Sequence, residues 1–178
     1  MVEYLYDYFH QDKFLETLSQ ISDNICEDNN KKYINFDKFK EPTHCANLTL
    51  GMNSLSSVDS LLISKEHNHI IFVEFKDMNN FENFDTLKEW FKSKDCSVKI
   101  KIPDSLLLLG TFLKENGYSF DKFMELEKSF FYVYKSTSSK NRINNHLKYK
   151  FTKYNFILKN IKTLETQSYI NFLEKENL

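Results

Sequence analysis

Apolar and polar positions are most sharply ordered between residues 57 and 76, SVDSLLISKEHNHIIFVEFK, and that pattern predicts two adjacent strands joined by a turn. The first strand runs over 58–64 and the second over 69–76, with Lys65-Glu66-His67-Asn68 as the polar turn. Side chains alternate across a strand, so Ile70, Phe72, Glu74 and Lys76 share one face, and Ile71, Val73 and Phe75 the other. Asp59 opens the first strand, and tight antiparallel pairing brings it close to Glu74. Three charges converging at the end of an apolar sheet are costly unless something holds them together, and a divalent cation does so.

Elsewhere the periodicity changes. Phe14, Leu15, Leu18, Ile21 and Ile25 stand at helical spacing and predict an amphipathic first helix over 12–26. Residues 33–39 alternate weakly, and 46–50 fit a short strand. After a polar loop over 77–84, a helix forms around Leu87, Trp90 and Phe91. Val98, Ile100 and Ile102 alternate with Lys99 and Lys101, an extended pattern. Pro103-Asp104-Ser105 then looks like the start of a buried helix that ends at Asn116-Gly117. A strand over 128–136, a polar loop, a strand over 147–151 and a final helix over 163–175 complete the chain. This order predicts one α/β domain over 1–178, a central mixed sheet flanked by helices.

Composition narrows the function more than the fold. The 178 residues are 41% hydrophobic and 16% aromatic, ample for one sizeable core. With three glycines and neither GxGxxG nor GxxxxGK[ST], Gly-rich phosphate loops lose support. Cys26, Cys45 and Cys96 lack CxxC spacing, which argues against zinc ribbons and disulfide frameworks and for reduced thiols in the cytoplasm. The N-terminal residues lack the features of a signal peptide, and the apolar run over 106–109 is too short to span a bilayer, so no membrane partner is expected.

The net charge of −1 conceals an asymmetry. Residues 1–30 are acidic, whereas 128–164 hold no acidic residue. Lys135, Lys140, Arg142, Lys148, Lys150 and Lys153 fall in that basic span, interleaved with aromatics. Such a surface is the electrostatic footprint of a nucleic-acid binder. The competing reading makes the lysines a solvated face and the aromatics core, because Phe130, Tyr132 and Tyr134 also fit strand alternation.

Asp59 with Glu74-Phe75-Lys76 resembles the signature of the PD-(D/E)xK nuclease superfamily, in which an Asp begins one core strand and an acid-x-Lys triplet closes the next. The likeness extends over roughly residues 10–135: a leading helix, a hairpin bearing the motif, then a helix and another strand. It implies a restriction-endonuclease-like core and metal-dependent hydrolysis of nucleic acid, DNA before RNA, with a homodimer as one way to cut both strands. By the same resemblance, Asp59, Glu74 and the Phe75 carbonyl hold Mg²⁺ or Mn²⁺, and Lys76 positions or deprotonates the attacking water. Val58 replaces the motif's Pro, and Gln11 stands where many members carry a Glu on the first helix. That second departure supports an alternative, a degenerate nuclease fold that binds nucleic acid or a protein without cutting.

Overall fold

A computed structural model describes residues 1–40, 55–79, 84–92, 98–135 and 152–176. Six strands among them form one mixed sheet in the sequential order β1 to β6. These are β1 (Leu15–Thr17), β2 (Lys32–Asn35), β3 (Ser60–Ser64), β4 (His69–Asp77), β5 (Glu127–Lys135) and β6 (Asn160–Glu165). The first four pair antiparallel; β5 and β6 continue the sheet parallel to β4. Six α-helices are described: α1 (Val2–Phe9), α2 (Leu18–Ile21), α3 (Phe84–Lys92), α4 (Val98–Glu115), α5 (Phe120–Glu125) and α6 (Thr166–Lys175).

The sheet is buried on both faces, which is why β3 and β4 are apolar on both sides of their alternation. Ile70, Phe72, Phe130, Tyr132 and Tyr134 pack with Leu5 and Phe9 of α1, Leu109 and Leu113 of α4 and Phe123 of α5. On the other face, Ile71, Val73, Phe75 and Val133 pack with Leu18 and Ile21 of α2 and Tyr169 and Leu173 of α6. The chain is therefore an α/β protein with a six-stranded mixed sheet flanked by helices.

Three sequence expectations are corrected. Residues 12–26 do not form one helix: Asp12–Phe14 is a 3-10 turn, Leu15–Thr17 is β1 and Leu18–Ile21 is α2. Phe14 enters the core on one face of the sheet, Leu18 and Ile21 the core on the other. One straight helix cannot serve both, so the chain crosses the sheet edge as β1. A capping box between Thr17 and Gln20 then starts α2. The leading helix is instead α1, whose Val2, Leu5 and Phe9 line one buried stripe.

Residues 98–102 are helical, not extended, and Pro103 lies inside α4 rather than at its start. Val98 and Ile102 are four apart, a spacing that suits a helix as well as a strand. Helical winding buries Ile102, Leu106, Leu109 and Leu113 together, leaving Ile100 and Leu107 exposed. Pro103 removes one backbone donor there without ending the helix. The predicted final helix begins at Thr166, because residues 163–165 belong to β6, where Thr163 pairs with Tyr132 and Glu165 with Tyr134. The strands expected over 46–50 and 147–151 lie outside the described residues.

Lys128 is buried at the start of β5, and its Nζ donates to the carbonyls of Phe123, Met124 and Leu126. These carbonyls close the C-terminal end of α5, where the Phe123 oxygen also accepts the Leu126 N–H and the helix dipole favours a cation. Burial nonetheless pushes the amine down to about 8.

Candidate active site

The hairpin register builds the site. Ser60 pairs with Val73, so Asp59 stands across from Glu74 on one sheet face, as the alternation predicts. Glu74 is 3% exposed, although β4 approaches its polar end there. Asp59 turns one carboxylate oxygen to the backbone: its Oδ2 accepts the N–H of Phe75 at 2.7 Å. The Phe75 ring goes to the opposite face, edge-on to Tyr169.

The lysine between these carboxylates is Lys101. Its Nζ stands 2.9 Å from Asp59 Oδ1, 2.7 Å from Glu74 Oε1 and 2.8 Å from Glu74 Oε2. Placement comes from α4. Ser105, one turn beyond Lys101, accepts the Val58 N–H with its Oγ at 2.9 Å, and Asp104 Oδ2 accepts the Ser56 N–H at 2.9 Å. These two bonds tie α4 to the segment entering β3, just before Asp59. A third carboxylate, Asp37, opens the 3-10 turn Asp37–Lys40 and accepts a hydrogen bond from Ser57 Oγ.

Burial pushes the Glu74 carboxyl well above its ordinary value, and the Asp59 charge adds to this against the pull of Lys101. Asp59 is raised by burial too, opposed by Lys101 and by the Phe75 N–H. The Asp37 charge raises both. On Lys101, burial works to lower the amine, but Glu74 and Asp59 outweigh it and the group ends above its usual value.

Fully ionised, two carboxylates and one ammonium carry a net negative charge, which the raised Glu74 carboxyl relieves by holding its proton to higher pH. Desolvating each ion costs several kcal/mol, about as much as good pairing returns, so an apolar trio would be no less stable. Perturbed charges gathered in this way make the cluster a candidate functional centre, though a structural ion-pair network perturbs charges as well.

The other expected residues are dispersed. Lys76 shares the Glu74 face but points its Nζ at the Trp90 ring of α3, 4.9 Å from the centroid, and does not join the carboxylates. Gln11 is exposed in the bend after α1, outside any helix. Glu16 is paired with Lys38 at 2.7 Å on β1. Among the basic residues, Lys135 lies 3.5 Å from Glu27, and Lys153 is exposed over the Tyr154 ring. Lys140, Arg142, Lys148 and Lys150 lie outside the described residues. Phe130, Phe131, Tyr132 and Tyr134 are buried core, so the strand reading of these aromatics is the one observed.

Sequence reasoning missed Lys101 and Asp37. Reading 98–102 as extended gave Lys101 no part in the site; the signal in its favour was its spacing of four from Ser105. Asp37 carried none, lying in a weakly alternating stretch.

Among the described residues no three His, Cys, Asp or Glu side chains are gathered to hold an ion. A hard cation here would take Asp59 and Glu74, with remaining positions filled by backbone oxygen, water or substrate, the manner in which Mg²⁺ is commonly bound. The donor set fits such an ion in charge and atom type: two carboxylates, Glu74 buried and Asp59 partly exposed, whose oxygens now meet the Lys101 ammonium. A cavity of about 450 Å³ opens at the other end of the sheet, lined by His69, Ser129 and Lys162, and touches none of these groups. No family model, curated protein or solved structure matches the chain. Among the described residues no helix is long and apolar enough to cross a membrane.

Proposed function

We propose that this protein is a metal-dependent nuclease that hydrolyses phosphodiester bonds, of DNA before RNA, on a restriction-endonuclease-like core. The observation that carries the reading is the carboxylate pair of partly exposed Asp59 and buried Glu74, held on one face of adjacent strands by the Ser60–Val73 register. The element order supports it as well: a motif-bearing hairpin, β3–β4, is followed by helices and by β5 parallel to β4. In open α/β sheets, ligands gather beyond the carboxyl ends of the parallel strands, and Glu74 and Lys76 lie toward that end of β4.

Asp59 and Glu74 would hold Mg²⁺ or Mn²⁺, which supplies a water acidified toward neutrality and polarises the phosphate. Burial keeps both carboxylates in a region where charge acts strongly. Lys76 shares the Glu74 face of β4 and lies over Trp90; turned toward the carboxylates, it would meet the substrate phosphate or orient the attacking water. Water attacks phosphorus and gives up one proton, the bond to one ester oxygen breaks, and the departing oxygen takes up a proton, so the reaction consumes one water in all. Exposed lysines of the basic segment, Lys153 among them, would bear on the backbone phosphates, whereas Lys128 is buried.

Lys101 favours a second reading. An ammonium already bridging Asp59 and Glu74 is what a degenerate site would use to replace a metal, leaving a module that binds nucleic acid or protein without cutting.

Incubating plasmid, single-stranded DNA and RNA with Mg²⁺ or Mn²⁺ separates the two. The nuclease reading expects metal-dependent cutting that is lost in Glu74→Gln. A folded protein that retains nucleic acid and cuts none of the three overturns it in favour of the binding module.

A further inference from the structure

We infer that Lys101 is a built-in competitor for the divalent cation at Asp59 and Glu74, so that loading the site requires its side chain to leave. The inference rests on the metal-site reading above and adds a residue that the motif does not contain. Lys101 contacts one oxygen of Asp59 and both oxygens of Glu74, the atoms with which those residues would ligate an ion. The other oxygen of Asp59 is taken by the Phe75 N–H. Ammonium and metal therefore need the same lone pairs, and they repel each other besides.

The side chain has somewhere to go. Lys101 keeps 17% of its side-chain surface exposed, and a lysine stem turns about four bonds from a fixed backbone. That backbone is pinned by the Ser105 and Asp104 bonds to the entry of β3, so departure is a rotation of the side chain and not a movement of α4. Once displaced, the ammonium stays within reach of whatever anion binds at the metal. Lys101 thus sets the metal affinity of the empty site and is returned as a cation for the substrate phosphate. Lys76, stacked on Trp90, makes no such contact and does not compete.

The test is Mn²⁺ binding to the purified full chain at pH 8, followed by calorimetry and electron paramagnetic resonance, with no substrate present. Lys101→Met is expected to bind Mn²⁺ about tenfold or more tightly than wild type, by removing the rival charge. Lys101→Arg keeps the charge and offers a planar fork suited to carboxylates, so it folds and binds Mn²⁺ more weakly than wild type. Lys65→Met, at an exposed lysine in the β3–β4 turn at the far end of the sheet, binds as wild type does. If wild type binds Mn²⁺ and both Lys101 variants match it, the competitor role is overturned and the metal site stands. If Lys101→Met does not fold, an unchanged affinity in Lys101→Arg overturns the role alone. If neither wild type nor any variant binds Mn²⁺, the metal reading itself fails and this inference with it.

Discussion

The ammonium of Lys101 reaches from α4 to within 2.7 Å of Glu74 on β4, and so fills the gap between two acids that adjacent strands bring together. Fully ionised, the cluster has more negative than positive charge, and Glu74 at its centre is buried. That imbalance makes stability and function pull in opposite directions here.

Replacing Glu74 with Gln should therefore stabilise the fold near neutral pH while ending metal-dependent activity. The Glu74 carboxyl titrates higher in the folded chain than its ordinary 4.5, so above that pH the folded state holds a proton that the unfolded state has released. Wild type thus loses stability as pH rises from 4.5 toward the raised folded value, and below 4.5 the cost is absent. The advantage of Glu74→Gln should grow over that interval and then level off. Thermal unfolding across pH reads this directly, at about 2–4 °C per kcal/mol for a chain of this length. A variant less stable than wild type at pH 7 would show that Lys101 outweighs desolvation.

Lys76 and Lys101 should part company. Lys76→Ala removes one partly exposed contact with Trp90, a change of about 0.5–1 kcal/mol. Lys101→Ala strips the counter-charge from buried carboxylates, a loss of about 3–5 kcal/mol unless they take up protons. Denaturant midpoints separate the two. On the nuclease reading, Lys76→Ala also lowers turnover by about 10²–10⁴ if Lys76 handles the proton of the attacking water.

Asp37 acts on the site through its charge. Asp37→Asn should lower the carboxyl pKa values of both Glu74 and Asp59, since its charge raises each of them. Carboxyl carbon NMR titration of wild type and variant would measure the two shifts, and unmoved values would remove Asp37 from the site.

Lys128→Met tests the cap on α5. The variant keeps the stem's packing but leaves the Phe123, Met124 and Leu126 carbonyls without their shared donor. A destabilisation of about 1–3 kcal/mol is expected by urea unfolding, without effect on Mn²⁺ affinity. A neutral result would mean that water satisfies these acceptors as well as the ammonium does.

The hairpin was legible in the chain itself. Strict alternation over 57–76, apolar on both faces, admits little but two central strands, and a period of two places Glu74 on the Asp59 face once the turn sets the register. The lysine of the site was not legible. Val98 and Ile102 satisfy a strand and a helix alike, and only the opportunity to bury Leu106, Leu109 and Leu113 along the same stripe against the sheet selects the helix that carries Lys101 inward. Residues 12–26 failed for a related reason: their apolar side chains serve two cores on opposite sides of one sheet, and no local period says which. By itself the sequence determined β3, β4 and β5, the faces of the hairpin and the meeting of Asp59 with Glu74, because one short turn joins the two hairpin strands. Tertiary structure alone decided which cation meets them, because Lys101 lies 27 residues from Glu74 and is delivered by the packing of a helix on the sheet.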